Sequence, residues 1–369
     1  MKRILFYSEG WGLGGIETFI MNTIRELPRD QFQCDVFCTH DWSDAHDEEL
    51  ASLGAHRYCV FHGFKPNQLK RLTTSPREFR KLLRKNAYDV VHICTMNGMG
   101  FLYSNIARQE NVPVRIVHSH NSDFGEGHRS IKAIFHQIGK TLWKRSATQL
   151  VACSSDAGQY LFDSSAYMLI PNGIYPNEYK FDETMRIQVR EFLGIPENAL
   201  LIGSVGRIAE AKRPFFQVDI LEELRAAGVN AYLLLVGDGP LLSSVREYSA
   251  RKNLTEYVRF PGAKSNPQGY YSALDVFTMP SSFEGFGLSL IEAASSGLSC
   301  LISVHIPMLP YPLKQVRYVP SQNAADWACT VRTSACLINN QTRENSAEDV
   351  MKAGYSVEAM VRKLINVYE

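Results

Sequence analysis

Residues 278–300 read TMPSSFEGFGLSLIEAASSGLSC, and the fold class follows from what surrounds each break in that run. Asp275-Val-Phe-Thr-Met279 is apolar enough for a buried strand, Pro280-Ser-Ser ends it, and Phe283-Glu-Gly-Phe-Gly287 is a loop. Leu288-Ser-Leu-Ile-Glu-Ala-Ala294 then repeats apolar residues at helical spacing. Two helical glutamates at positions 284 and 292 would stand ~12 Å apart along the axis and ~80° apart around it, so they could not share one tight site. With Glu284 on the loop and Glu292 in the first turns of the helix, both can border one crevice at its N-terminus. The free N–H groups there, with roughly +0.5 charge, suit a phosphate. The plain alternative is two exposed carboxylates near a helix start.

Strand, glycine-bearing loop and helix recur along the chain. Arg3-Ile-Leu-Phe-Tyr-Ser8 leads into Glu9-Gly-Trp-Gly-Leu-Gly-Gly15 and a helix over 16–27 that Pro28 stops. Gly10, Gly12 and Gly15 match G-x-G-x-x-G, the dinucleotide fingerprint. The next strand, Gln33-Cys-Asp-Val-Phe-Cys38, does not end in the acid that would hold an NAD ribose. A tight turn without ligand is a second reading of this loop. Tyr88-Asp-Val-Val-His-Ile-Cys94 leads to Asn97-Gly-Met-Gly100, and Val114-Arg-Ile-Val117 to His118-Ser-His120. A His past a strand end points into the crevice where open α/β sheets take ligands. Two His at i, i+2 also suggest a metal, but no third ligand is near in sequence, and one of them can be a structural histidine.

A strand over 149–153 and a helix over 155–162 close the first half. Ile170-Pro-Asn-Gly-Ile-Tyr-Pro176 punctuates the chain like a hinge, and a second strand–loop–helix series follows. Leu200–Val205 ends in Gly206-Arg207 with Lys212 five residues on, and Ala231–Val236 ends in Gly237-Asp-Gly-Pro240. Val258-Arg-Phe260 reaches Pro261-Gly-Ala263-Lys264, and a helix over 267–274 returns to the opening stretch.

In order and spacing these motifs resemble the retaining family 4 glycosyltransferases of the GT-B fold, also called glycosyl transferases group 1. The His118-Ser-His120 segment is nearest to the transferases of bacterial capsule, exopolysaccharide or lipopolysaccharide assembly. The resemblance implies an α/β chain of two Rossmann-like, doubly wound domains facing across a cleft. It places an acceptor domain at 1–165, a nucleotide-sugar domain at 166–352, and a last helix at 353–369 crossing back to the first. It also implies roles. Arg207 and Lys212 would meet the leaving diphosphate, Glu284 the donor sugar and Glu292 the ribose. His118, a better positional match than His120, would line the reacting face. Gly14 and Gly15, Gly206, Gly237 and Gly239, Ala263, and Gly285, Phe286, Gly287 and Leu288 would approach the donor by backbone. No metal or other cofactor is implied, because fixed cations in a dry cleft stabilise a departing diphosphate. The donor, most simply a UDP-sugar, is a co-substrate, and the acceptor a glycan or lipid-linked glycan. Beyond Cys300 the match fades, at Ile302-Ser-Val-His-Ile-Pro307.

The bulk figures agree with this class. At 369 residues two α/β domains are expected, and 45% apolar with 21% charged residues is the composition of a globular protein. A net charge of +1 gives no drive toward nucleic acid. The eight cysteines contain no Cys-x-x-Cys pair, which fits buried thiols in a reducing compartment. No signal peptide or spanning segment is read, so a cytoplasmic protein is expected, with peripheral contact at the inner membrane face. That contact comes from a local bias, fifteen Lys/Arg against five acids between Lys65 and Ser155. Within the basic stretches 65–85 and 129–145, Arg77 to Lys85 and Arg129 to Arg145 read as helices, and Ile131, Ile134, Phe135, Ile138, Leu142 and Trp143 share one side of the second. That side is either core or a face for an anionic bilayer. Three rivals stand beside the transferase: an NAD-dependent oxidoreductase using Gly10, Gly12 and Gly15, a non-catalytic two-domain sugar-binding protein, and a nucleotide-sugar epimerase.

Overall fold

The computed structural model describes residues 1–123, 129–336 and 343–369, and they form two compact units. The first comprises Met1–Gly173 with Val357–Glu369, the second Ile174–Ser356. In the first unit seven parallel strands run β1 (Lys2–Trp11), β2 (Phe32–Asp41), β3 (Arg57–Phe61), β4 (Val90–Thr95), β5 (Val114–Ser119), β6 (Gln149–Ala152) and β7 (Met168–Leu169). Their spatial order is β3-β2-β1-β4-β5-β6-β7, so the winding reverses between β1 and β4. Helices on both faces bury the sheet, which is why β2 and β4 read as continuous apolar runs instead of alternating ones. Phe79, Phe101 and Tyr103 from two covering helices pack with Tyr7 and Phe37 from the sheet.

The second unit repeats the plan with β8 (Leu200–Val205), β9 (Ala231–Val236), β10 (Val258–Gly262), β11 (Val276–Met279), β12 (Ser299–Ser303) and β13 (Val316–Val319). The order is β10-β9-β8-β11-β12-β13, all parallel, with the reversal between β8 and β11. Trp327 packs into this core with Ile202, Val218 and Leu221. Ligands of open parallel sheets sit beyond the carboxyl ends of the strands at such a reversal.

The last helix, Val357–Tyr368, belongs to the first unit, and Val357, Met360, Val361, Leu364, Val367 and Tyr368 are all buried. Its terminal residue reaches far back in sequence. The Lys2 ammonium donates to the Tyr368 carbonyl (3.0 Å), and the Tyr368 ring packs on Phe32 (6.1 Å).

Three elements differ from the sequence reading. β1 runs on through Glu9, Gly10 and Trp11, because Gly10 and Trp11 pair with His40 and Asp41 of β2. β5 likewise continues through His118 and Ser119, which pair with β4 and β6, so His120 is the first residue past the strand. The helix expected from Arg77 begins at Gln68, where the Asn67 side chain accepts from the Lys70 N–H (2.9 Å) and caps it.

In the helix Arg129–Trp143 only part of the apolar side is core, since Trp143 packs on the first unit's core. The helix buries His136, Gly139 and Lys140, and leaves Ile131, Ile134, Ile138 and Leu142 between 39% and 63% exposed. Close backbone contact decides the orientation. A Cβ on Gly139 would lie 2.1 Å from the Gly98 carbonyl oxygen, so only a glycine-bearing side can face the 97–100 turn. No helix among the described residues is long and apolar enough to cross a membrane.

Candidate active site

Apart from Gly14, Gly15 and His118, which lie in the first unit, the residues expected at the donor sit in the second unit, on the loops after β8, β9, β10 and β11 and the helix after the last of these. The first three of these loops are tied together by backbone. Gly206 N–H donates to the Val236 carbonyl (2.9 Å), Ile208 N–H to Asp238 (2.8 Å), and Gly237 N–H to Gly262 (3.0 Å). Gly237 has φ +149, and a Cβ there would lie 1.9 Å from the Gly206 carbonyl oxygen. Glycine is required, and the two turns lie against each other over a crevice.

Arg207 and Lys212 line that crevice with Gly206, Thr278 and Ser281. The loop after β11 is pinned to the same place, since Ser282 N–H donates to the Ala211 carbonyl (2.8 Å). Lys212 Nζ stands 2.5 Å from Glu284 Oε1, with both side chains largely buried. The sequence-predicted cation and carboxylate, 72 residues apart, thus form one ion pair at the reversal between β8 and β11. Gly287, with φ +85, turns the chain into the helix Leu288–Ser295, whose first N–H groups have no side-chain cap. Phe286 is buried against Tyr355 (6.0 Å) and holds the loop down.

Glu292 lies in this helix beside two tyrosines that sequence reasoning missed. The Tyr271 hydroxyl donates to Glu292 Oε2 (2.5 Å). Burial raises the Glu292 pKa, while hydrogen bonds from Tyr271 and Tyr179 and the charge of Lys212 oppose the rise. Tyr271 and Tyr179 also meet edge to face (5.8 Å), so their hydroxyls are delivered by a rigid pair. Asp238 and Gly239 continue the β9 turn, and Ala263 is exposed just past β10.

In the first unit His118 is fully buried within β5. Its Nδ1 is 3.2 Å from His92 Nε2, and His92 Nδ1 is 2.8 Å from the Tyr368 hydroxyl. The chain can run in two directions, and each leaves one buried polar hydrogen without a partner among the described residues: the Tyr368 O–H if His92 donates to it, the His118 Nε2–H if Tyr368 donates to His92. His120 stacks on His118, with ring centroids 4.0 Å apart. Burial holds His92 and His120 down to about 3 and His118 well below its usual value, so all three rings are neutral.

Gly14 N-caps the helix Gly15–Glu26 without a side-chain bond of its own. The Glu17 carboxylate folds back to accept from the N–H groups of Gly14 and Glu17, while burial pushes its pKa up to about 7. Glu17 is a second group that sequence reasoning passed over. For metals, Asp41, Cys59 and His62 are the trio close enough to share an ion among the described residues, and it includes neither His118 nor His120. Asp41 already accepts from Arg57 (2.6 Å) and from the Gly63 N–H (2.7 Å).

Known proteins give the class first. HepE of Anabaena, solved in complex with UDP-glucose, superposes with a TM-score of 0.80 at 17% identity over 99% of both chains, and the fold is GT-B. The chain belongs to the family 4 glycosyltransferases: residues 13–178 match Glycosyltransferase Family 4, and residues 185–333 match Glycosyl transferases group 1. It is 33% identical to the putative glycosyltransferase EpsF of Bacillus subtilis (strain 168), over 100% of this chain and 96% of that relative. It is also 23% identical to an Escherichia coli UDP-Gal:alpha-D-GlcNAc-diphosphoundecaprenol alpha-1,3-galactosyltransferase, over 79% of this chain and 76% of the other. The protein is thus a glycosyltransferase enzyme, and the oxidoreductase and non-catalytic readings fall. The dinucleotide-like glycines have another reason to be there. A Cβ on Gly10 or Gly12 would lie 2.4 or 1.9 Å from the Trp42 indole, which crosses that strand end.

Proposed function

We propose that the protein moves a sugar, with retention, from a UDP-sugar to a hydroxyl of a glycan or lipid-linked glycan during assembly of a bacterial surface polysaccharide. The observation that carries this reading is the Lys212–Glu284 ion pair at the sheet reversal, next to Arg207 and the uncapped helix N-terminus. A departing nucleoside diphosphate gains negative charge, and Arg207, Lys212 and the Phe286–Gly287 amides are fixed groups of the right sign to meet it. Lys212 leaves its partner for the phosphate, and Glu284 then takes sugar hydroxyls as charge-assisted acceptors. Glu292, steadied by the Tyr271 hydroxyl, accepts from the ribose. With the Tyr368 hydroxyl as the first donor of the chain, His118 offers an N–H from Nε2 and acts as a donor, not a base. The donor reading draws on HepE, solved with UDP-glucose, and the acceptor reading on the diphosphoundecaprenol-linked substrate in the name of the Escherichia coli relative.

In this mechanism no protein side chain attacks the sugar. The acceptor enters on the face the diphosphate leaves, within an ion pair held by Arg207 and Lys212, and no metal takes part. The deciding experiment follows UDP release from UDP-glucose and UDP-galactose, with NMR assignment of the anomeric configuration of product. Transfer with retention, lost in Glu284→Ala, supports the proposal. A trapped covalent glycosyl-enzyme contradicts the ion-pair step, and an epimerised nucleotide sugar contradicts the transfer. Contact with an anionic membrane completes the proposal, supported by the exposed stripe Ile131, Ile134, Ile138 and Leu142 flanked by Arg129 and Lys132. That contact would put the protein at the inner face of the cell membrane.

A further inference from the structure

Trp42, the first residue past β2, is 59% exposed, an unusual position for the largest apolar ring. Its placement is not loose. The Trp42 N–H donates to the Trp11 carbonyl (3.0 Å), and the indole lies across Gly10 and Gly12, where any side chain would displace it. One face of the indole therefore rests on glycine backbone, and the ring is held flat at the carboxyl edge of the sheet.

Polar groups frame the same spot. Arg71 Nη1 pairs with Glu9 Oε1 (2.8 Å), and Arg71 Nε is buried with no partner among the described residues. His40 is 2% exposed, with its ring centroid 5.2 Å from that of Trp42. Both of its nitrogens lack a partner among the described residues. Burial lowers the His40 pKa, with the positive charges of Lys65 and Arg71 adding to the effect and Glu9 and Asp41 opposing it. The ring is neutral, with one N–H and one lone pair to offer. Unpaired buried groups of this kind are costly until something pairs them.

From this geometry we infer that Trp42, with His40 and the Glu9–Arg71 pair, is a subsite for a pyranose ring of the acceptor glycan. A pyranose has an apolar C–H face and a rim of hydroxyls. The first matches a flat indole, and the second matches a carboxylate, a guanidinium and an imidazole set around it. A nucleotide diphosphate fits badly, because Glu9 would repel it and Arg71 is already paired. The groups suited to the nucleotide sugar, Arg207, Lys212, Glu284 and Glu292, all belong to the other unit. Nothing in the motifs that identify the family involves Trp42.

The inference rests on the proposed transferase activity, and its test separates the two. Transfer from UDP-glucose and UDP-galactose is measured to a panel of octyl glycosides (gluco, galacto, manno and N-acetylglucosaminyl) for wild type, Trp42→Ala and Trp42→Phe. UDP-induced thermal stabilisation and UDP-sugar hydrolysis in water are followed alongside. The expected result is an acceptor KM raised at least tenfold in Trp42→Ala and largely restored in Trp42→Phe. Donor KM, hydrolysis and the UDP-induced shift stay within twofold of wild type. An unchanged acceptor KM in Trp42→Ala overturns the subsite. So does a parallel rise in donor and acceptor KM, which would mean that the indole only shapes the glycine loop. Wild type that is stabilised by UDP yet glycosylates no member of the panel also counts against it. Absence of any UDP effect on wild type defeats the donor reading, and the subsite with it.

Discussion

Three side chains carry the sharpest expectations. Lys212 is the partner of Glu284 and one of the two cations assigned to the leaving group, so Lys212→Ala should lower kcat by about 10²–10³, the loss typical when one preorganised stabilising group is removed. Steady-state kinetics with saturating acceptor checks it, and a change confined to KM would reassign Lys212 to ground-state binding. Tyr271→Phe takes one donor from Glu292, and at about 1.5 kcal/mol for a charge-assisted bond the donor KM should rise roughly tenfold with kcat little altered. Tyr368→Phe removes the group that orders the imidazole chain. Nitrogen-15 shifts of the histidine side chains should show His118 protonated on Nε2 in wild type and a mixture of tautomers in the variant. A single unchanged tautomer in both would mean that Tyr368 has no part in it. At this scale the residues that gather at the reversal between β8 and β11 were readable in advance. Gly206-Arg207, Lys212, Gly237 and Glu284 are short local patterns whose types state their chemistry. The partners of Glu292, His92 and Gly10 were not, because Tyr271, Tyr368 and Trp42 reach them only after strands and helices have been brought together.

Among the elements, two carry consequences of their own. β4 and β5 place His92 and His118 side by side in the core, with His120 stacked on top. Their folded-state pKa values lie below the unfolded value near 6.5, so the unfolded chain binds more protons at mildly acid pH. Stability from keeping them neutral is complete above about pH 6.5 and is lost as pH falls from there toward about 3. Urea unfolding between pH 7 and 5.5 should lose up to roughly 1.4 kcal/mol per pH unit for each such ring, and His120→Gln should flatten the slope. The helix Arg129–Trp143 gives the other consequence. Sequence periodicity put six apolar residues on one side and could not say which way it faced; Ile131, Ile134, Ile138 and Leu142 are exposed, while Trp143 packs on the core. Gly98 and Gly139, 41 positions apart, settled that by close approach. Paired substitution Ile134→Asp and Ile138→Asp should leave thermal stability nearly unchanged and abolish co-sedimentation with phosphatidylglycerol vesicles. Binding that survives the double change would rule the stripe out as the membrane face.

For the whole molecule, the family pattern of two doubly wound sheets was legible because each strand–loop–helix repeat announces itself locally. The place of the last helix rests on residues more than 260 positions apart, such as His92 and Tyr368. Removing residues 357–369 should unfold the first unit, since six buried side chains at about 1.5–3 kcal/mol each rival the whole stability of a domain. Limited proteolysis and circular dichroism of the shortened protein would check this, and a cooperative first unit surviving the deletion would show the helix to be dispensable. The threading has a temporal side as well. A ribosome makes the amino end first, and domains generally complete in that order. Here residues 1–173 must wait for residues 357–369, so the unit made between them can finish while the first is still missing a wall. During that interval the groove awaiting Tyr368 is open to chaperones, and translation speed over codons 174–369 becomes a determinant of yield.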